Sequence, residues 1–166
     1  GFDRSDELSG IAVAADGKIV AVGRAVTAAS PHIDFGIARY NVDGSLDTSF
    51  GGDGKVTTDV VTTAISPTLN FSQDDASSVV ILADGRIVVG GNSRIQISGN
   101  TVRDMVLARY LDDGTLDTSF NPTPASSAEP GTRRVSFISS GVNQLEIGKV
   151  VLEPTDDGSM LIGGWA

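Results

Sequence analysis

The chain has no cysteine, one histidine, three lysines and few aromatics, 5% of its 166 residues. Each shortage excludes something. Without cysteine there is no disulfide scaffold, no thiolate metal site and no cysteine nucleophile. A single histidine, His32, leaves little for imidazole acid–base chemistry. The longest apolar runs, such as Ile11 to Ala15 and Val79 to Ala83, are five residues, too short to span a bilayer as a helix. Basic residues are outnumbered 12 to 21 by acidic ones, a formal charge of −9, and such a surface repels nucleic-acid phosphate. Glycine and proline, 20 and 6 residues, fall short of the roughly 25–30% that marks low complexity. The chain opens at Gly1 with neither an initiator methionine nor the n- and h-regions of a signal peptide, so a processed product or part of a longer chain is expected.

What is present is repetition. Ala15-Asp16-Gly17-Lys18-Ile19-Val20 returns 68 residues later as Ala83-Asp84-Gly85-Arg86-Ile87-Val88. Ala38-Arg39-Tyr40 returns as Ala108-Arg109-Tyr110, and the segment Asp43 to Phe50 as Asp113 to Phe120. A third copy begins at Lys149-Val150-Val151-Leu152 and runs through Asp157-Gly158 to Gly164. Three ordered blocks at nearly one spacing define a repeat of about 70 residues.

Strand and turn signals fill each unit. Six Asp-Gly pairs (16–17, 43–44, 53–54, 84–85, 113–114 and 157–158) interrupt apolar runs, and this dipeptide favours tight hairpin turns. Four strands per unit are predicted. The first unit has Ser9–Ala14, Lys18–Arg24, Ile33–Tyr40 and Lys55–Val60; the second has Ser77–Leu82, Arg86–Ser93, Val102–Tyr110 and Arg133–Ile138. The third supplies Ile147–Leu152 and Ser159–Gly164. No sustained 3.6-residue apolar period exists, so almost no helix is expected. The runs Val79 to Leu82, Ile87 to Val89 and Met105 to Ala108 are apolar on both faces, which calls for cover on both sides of the sheet. Face-to-face stacking of four-stranded meanders, as in β-propeller blades, supplies it. The predicted fold is all-β, with two and a half antiparallel blades: residues 1–69, residues 70–140, and half a blade at 141–166. Small residues at Ala12, Ala14, Ala21, Gly36 and Gly90 suit strands crowded near an axis. Residues 27–32, 62–73, 95–101 and 121–132 are read as exposed loops from their Ser, Thr, Pro and Asn content.

The segments Asp16-Gly17-Lys18-Ile19-Val20, Phe35 to Asn41 and Asp43 to Gly51 resemble the delta-60 repeat family of bacterial surface and secreted proteins. The resemblance implies a propeller-like, extracellular or cell-surface, non-enzymatic module, and it brings no catalytic residues with it. The chain departs from the pattern in its longer loops and at Asn121-Pro122, where Gly51-Gly52 stands in the first copy.

Chemistry-bearing residues are weighed against structural roles. His32 lies in a Ser-Pro-His loop with no nucleophile elbow or oxyanion motif beside it. Gly51-Gly52-Asp53-Gly54-Lys55-Val56 lacks the spacing and the hydroxyl of a phosphate loop and reads as a turn. Asn41, Asp43 and Asp47, with Asp112, Asp113 and Asp117 in the second copy, offer oxygens for calcium, but no bidentate glutamate follows. Turn capping is the preferred reading there. Arg39 and Arg109 are expected to pair with Asp47 and Asp117, and Phe50 and Phe120 to plug the core. Trp165 is expected to pack on the last strand rather than to bind a sugar. Asp6-Glu7, Asp74-Asp75 and Glu146, each before a first strand, are read as solvated edge charges. Asn70-Phe71-Ser72 fits a glycosylation sequon, a pattern common by chance.

No catalytic, cofactor-binding or metal site is therefore assigned, and no cofactor is expected, calcium being the alternative. The function expected is a structural or interaction module of a larger extracellular repeat protein. A carbohydrate-binding or calcium-dependent adhesive propeller is the alternative, and a propeller hydrolase is the third reading. The partners expected are other blades, from the same longer chain or from neighbouring subunits, because two and a half blades leave a sheet face and an edge uncovered.

Overall fold

A computed structural model describes residues 6–26, 33–60, 69–97, 100–122, 130–135, 151–154 and 160–163. All of its regular elements are strands: β1 (Glu7–Val13), β2 (Ile19–Val26), β3 (Ile33–Tyr40), β4 (Lys55–Thr58), β5 (Leu69–Ile81), β6 (Ile87–Ile97), β7 (Asn100–Tyr110), β8 (Thr132–Val135), β9 (Val151–Pro154) and β10 (Met160–Gly163). Strands β1 to β4 form one antiparallel meander and β5 to β8 a second, while β9 and β10 make a hairpin that lies against β5 and β6. Among the described residues one parallel pairing, Ile33 with Gln73, links the meanders at the start of β3.

The turns follow from their chemistry. Gly17, Gly44, Gly85 and Gly114 each follow an aspartate and adopt φ of 84–88°, open to glycine and strained for most side chains. In each turn the aspartate accepts the amide of the residue after the glycine, as in Asp16 to Lys18 and Asp84 to Arg86. The departure at Asn121-Pro122 preserves the backbone: Asn121 adopts φ 55°, next to 62° at Gly51, and asparagine tolerates that region better than most residues. Its side-chain amide donates to the Thr132 carbonyl at 2.8 Å, fastening the corner to β8.

Two expectations need correction. The segments 62–73 and 95–101 were read as loops, yet β5 begins at Leu69, and β6 and β7 extend to Ile97 and from Asn100. Their polar residues lie in a long hairpin, where cross-strand bonds satisfy the backbone despite the turn-like composition. Residues 27–32 including His32, most of 121–132, Ser136 to Ile138, Glu146 and Trp165 fall outside the described residues, as does the side chain of Asn70.

The core lies between the two meanders. Val20, Val22, Phe35, Ile37 and Phe50 of the first pack against Val79, Ile87, Val89, Val106, Ala108 and Tyr110 of the second. Val88, Met105 and Leu107, on the opposite face of the second meander, form a separate cluster with Phe120 and Val135 against it. Each unit therefore presents two different apolar faces. By register, Ile19 and Tyr40 correspond to Ile87 and Tyr110, while Val20 and Arg39 correspond to Val88 and Arg109.

Candidate functional site

The seam between the units gathers the repeated polar residues at its turn end. Arg39, buried on β3, donates from Nε to Asp47 Oδ2 at 2.7 Å. Its Nη1 reaches across the seam to the Asp112 carboxylate at 2.7 Å and the Asp112 carbonyl at 2.5 Å. The guanidinium stands 4.8 Å from the centroid of the Phe50 ring, a cation–π arrangement. The Ser49 hydroxyl donates to Asp47 Oδ1 at 2.6 Å and Lys18 pairs with Oδ2 at 2.9 Å. Those two contacts hold the Asp47 carboxyl well below the usual carboxylate range, with Arg39 adding to them. The second unit repeats the corner: Arg109 donates to Asp117 at 2.7 Å and stands 4.7 Å from the Phe120 ring.

The seam is closed by two further bonds. The Gly51 amide donates to the Asp113 carbonyl at 2.9 Å, and the fully buried Tyr110 hydroxyl donates to Thr58 Oγ1 at 2.8 Å. Gly114 presses on Phe50 so closely that a Cβ there would stand 3.0 Å from the ring. Arg39 and Arg109 thus have the expected partners, and Phe50 is fully buried, whereas Phe120 is half-buried. Asp43 and Asp113 cap their turns by accepting from Ser45 and Thr115, bonds that lower both carboxyls. Asn41 donates to Ser45 Oγ at 3.0 Å.

The opposite end of the seam is acidic. Asp34 of β3, Asp59 after β4 and Asp74 of β5 converge, with one oxygen from each within 4.8 Å of the others. Asp74 is not the solvated edge charge expected from its place before a first strand: it is fully buried, because β5 starts early and lays it beside Val60. The Val60 amide donates to Asp74 Oδ2 at 2.8 Å. Burial pushes the Asp74 carboxyl up to about 7, with Asp59 and Asp34 adding to the rise. The Ser93 hydroxyl, close by but outside hydrogen-bonding geometry, and the Val60 amide pull the other way. Two carboxylates about 5 Å apart repel by roughly 3 kcal/mol at an effective dielectric constant near 20. Of the three, Asp34 recurs in the second copy, as Asp104, 70 residues on.

The outer face of the first unit is exposed along β1. Leu8, Ile11 and Val13 are about two-thirds exposed, at 65%, 63% and 64%. Leu8 and Ile11, with Ile19, Ala21 and Tyr40, line a shallow depression of about 490 Å³. In the second unit the corresponding face, Ile87, Val89 and Tyr110, is the one buried on the first unit.

Residues 14–50 and 82–120, the Asp-Gly hairpins through the Asp-Thr-Ser-Phe corners, match a family described as a domain of unknown function (DUF5122), beta-propeller. The fold is that of β-propeller blades. The two matched segments occupy corresponding places in blade 1 (β1 to β4) and blade 2 (β5 to β8), so the family pattern is the seam-forming corner together with the strands that lead into it. No curated protein matches the chain. Among the described residues, no helix is long and apolar enough to cross a membrane.

Proposed function

We propose that the chain is a non-enzymatic interaction module of the delta-60 repeat type, working outside the cell within a larger propeller or surface assembly. One observation carries the reading. Blade 1 exposes at Leu8, Ile11, Val13, Ile19 and Tyr40 the same type of face with which blade 2 covers its neighbour. A contiguous apolar sheet face of this kind marks an interaction surface. Its partner is a blade face of the Val20, Val22, Ile37 and Phe50 type, supplied by the same longer chain or by a neighbouring subunit. The contact is heterologous, so each blade added offers the next site, and an arrangement that fails to close grows as a filament. The repeated charged residues support a structural role, since Arg39, Asp47, Arg109 and Asp117 are tied into the corners.

Light scattering on the 166-residue chain across a concentration series tests this. Association at micromolar concentration is expected, and Ile11→Lys or Val13→Lys should abolish it while leaving thermal unfolding cooperative. A parent chain that stays monomeric and well folded at that concentration overturns the proposal.

A further inference from the structure

The carboxylates at the loop end of the seam come from two blades: Asp34 and Asp59 from blade 1, Asp74 from blade 2. Like charges held this close in a buried place call for a compensating positive charge or a proton. Asp74 Oδ1 and the Ser93 hydroxyl, both on fully buried side chains, have no hydrogen-bond partner. Asp74 and Ser93 are directly paired across β5 and β6, so the two orphaned oxygens lie on one face of the sheet. Buried oxygens left without a donor are costly, and coordination to a cation satisfies them.

Blade 2 shows a side chain supplying such a charge. Asp104 occupies the position of Asp34, and Arg134 of β8 pairs with it. By register the blade 1 counterpart of Arg134 is Thr57, so the particular pairing made by Asp104 is not repeated in blade 1. Asp59, in turn, corresponds to Ser136 in the second copy, a residue without a carboxylate. The complete trio is therefore not carried by the second copy, where Asp59 has no acidic counterpart.

We propose that Asp34, Asp59 and Asp74 bind one calcium ion across the seam, with the Ser93 hydroxyl as a further oxygen ligand. The donor set is all oxygen, the preference of hard cations. Oxygens on opposite sides of calcium stand about 4.6–5.2 Å apart, twice the 2.3–2.6 Å ligand distance, against about 4.1 Å across magnesium. Oxygens within 4.8 Å of one another are close enough for one cation to reach all three. A site offering several protein oxygens suits calcium, which takes about six to eight, better than magnesium, which keeps most of its waters. Such an ion fastens β3 and β4 of blade 1 to β5 of blade 2, at the end of the seam opposite the Arg39–Asp112 clamp. The inference does not rest on association of the outer face.

Calorimetric titration of the EDTA-stripped chain with calcium chloride, together with thermal unfolding in calcium, magnesium or EDTA, tests it at one fixed protein concentration. One calcium site per chain is expected, with a melting temperature raised by calcium and far less by magnesium. Asp59→Asn should weaken binding at least tenfold. In EDTA this variant should melt at or above the parent, because a like charge has gone; in millimolar calcium it should melt below. That inversion separates a ligand from a merely structural residue. Asp43→Asn, at a turn, should bind as the parent does. Absence of calcium binding, the same melting order in both buffers, or loss of binding in Asp43→Asn but not Asp59→Asn would each overturn the proposal.

Discussion

Blade 1 and blade 2 share strand order, turns and the Arg-Tyr and Asp-Thr-Ser-Phe corner, yet matching residues live in different surroundings. Phe50 is sealed by Gly114 and the blade 2 turn, while Phe120 is half-buried. Tyr110 is wholly buried and bonded to Thr58, while Tyr40 is partly exposed on the outer face. Asp104 has Arg134 as counter-ion, while Asp34 faces two more carboxylates. The lesson is that the repeated residues belong to the seam rather than to the blade. Their energetic weight depends on whether a neighbour has docked.

The largest expected break in this comparison comes at the phenylalanines. Phe50→Ala should cost about 3–5 kcal/mol, the usual loss for a buried phenyl group, and Phe120→Ala less than half as much. Denaturant unfolding of both variants checks it, and equal losses would mean that docking adds nothing at the corner.

A smaller contrast is expected at the tyrosines. Tyr110→Phe removes the bond to Thr58 and strands a buried hydroxyl, a loss of about 1–2 kcal/mol. Tyr40→Phe should be close to neutral. Thermal melts of the pair read the difference, which should narrow where a partner covers blade 1.

The smallest effect is expected in acid. Folding holds the Asp47 and Asp117 carboxyls below the ordinary value of 3.8, so on acidification the unfolded chain takes up their protons first. Stability from these groups is present above about pH 4 and is lost as pH falls through their folded values. Melting temperatures between about pH 5 and pH 2 should fall less steeply for Asp47→Asn than for the parent, and Asp117→Asn should flatten the curve too.

How far the sequence could be read depends on distance along the chain. The hairpin turns, the strand positions and the Arg39–Asp47 and Arg109–Asp117 pairs lie within ten residues of their partners and recur, so pattern alone exposes them. The Asp34–Asp59–Asp74 group was invisible because its members, 15 to 40 residues apart, meet only when one blade stacks on the next. Asp74 in particular reads as a surface charge until β5 is seen to start at Leu69. The long β5 to β7 hairpin was hidden by its Ser, Thr and Asn content, which marks loops when no partner strand is known. Asn121 was flagged as a break in the pattern, yet the φ it adopts makes it a substitute for glycine.

The order of the seam also sets a timetable for synthesis. Val20, Val22, Ile37 and Phe50 all precede their covering residues in the chain, so blade 1 leaves the ribosome with its docking face finished and waiting. At about 5–20 residues per second, a further blade of about 70 residues takes roughly 4–14 s to follow. During that interval the first blade is the template on which the second can condense, and the Gly51 amide is in place before its Asp113 acceptor exists. Growth of this kind runs in one direction, from each earlier blade to the later one. A chain released after Val60 would present the very face that its successor is built to hide.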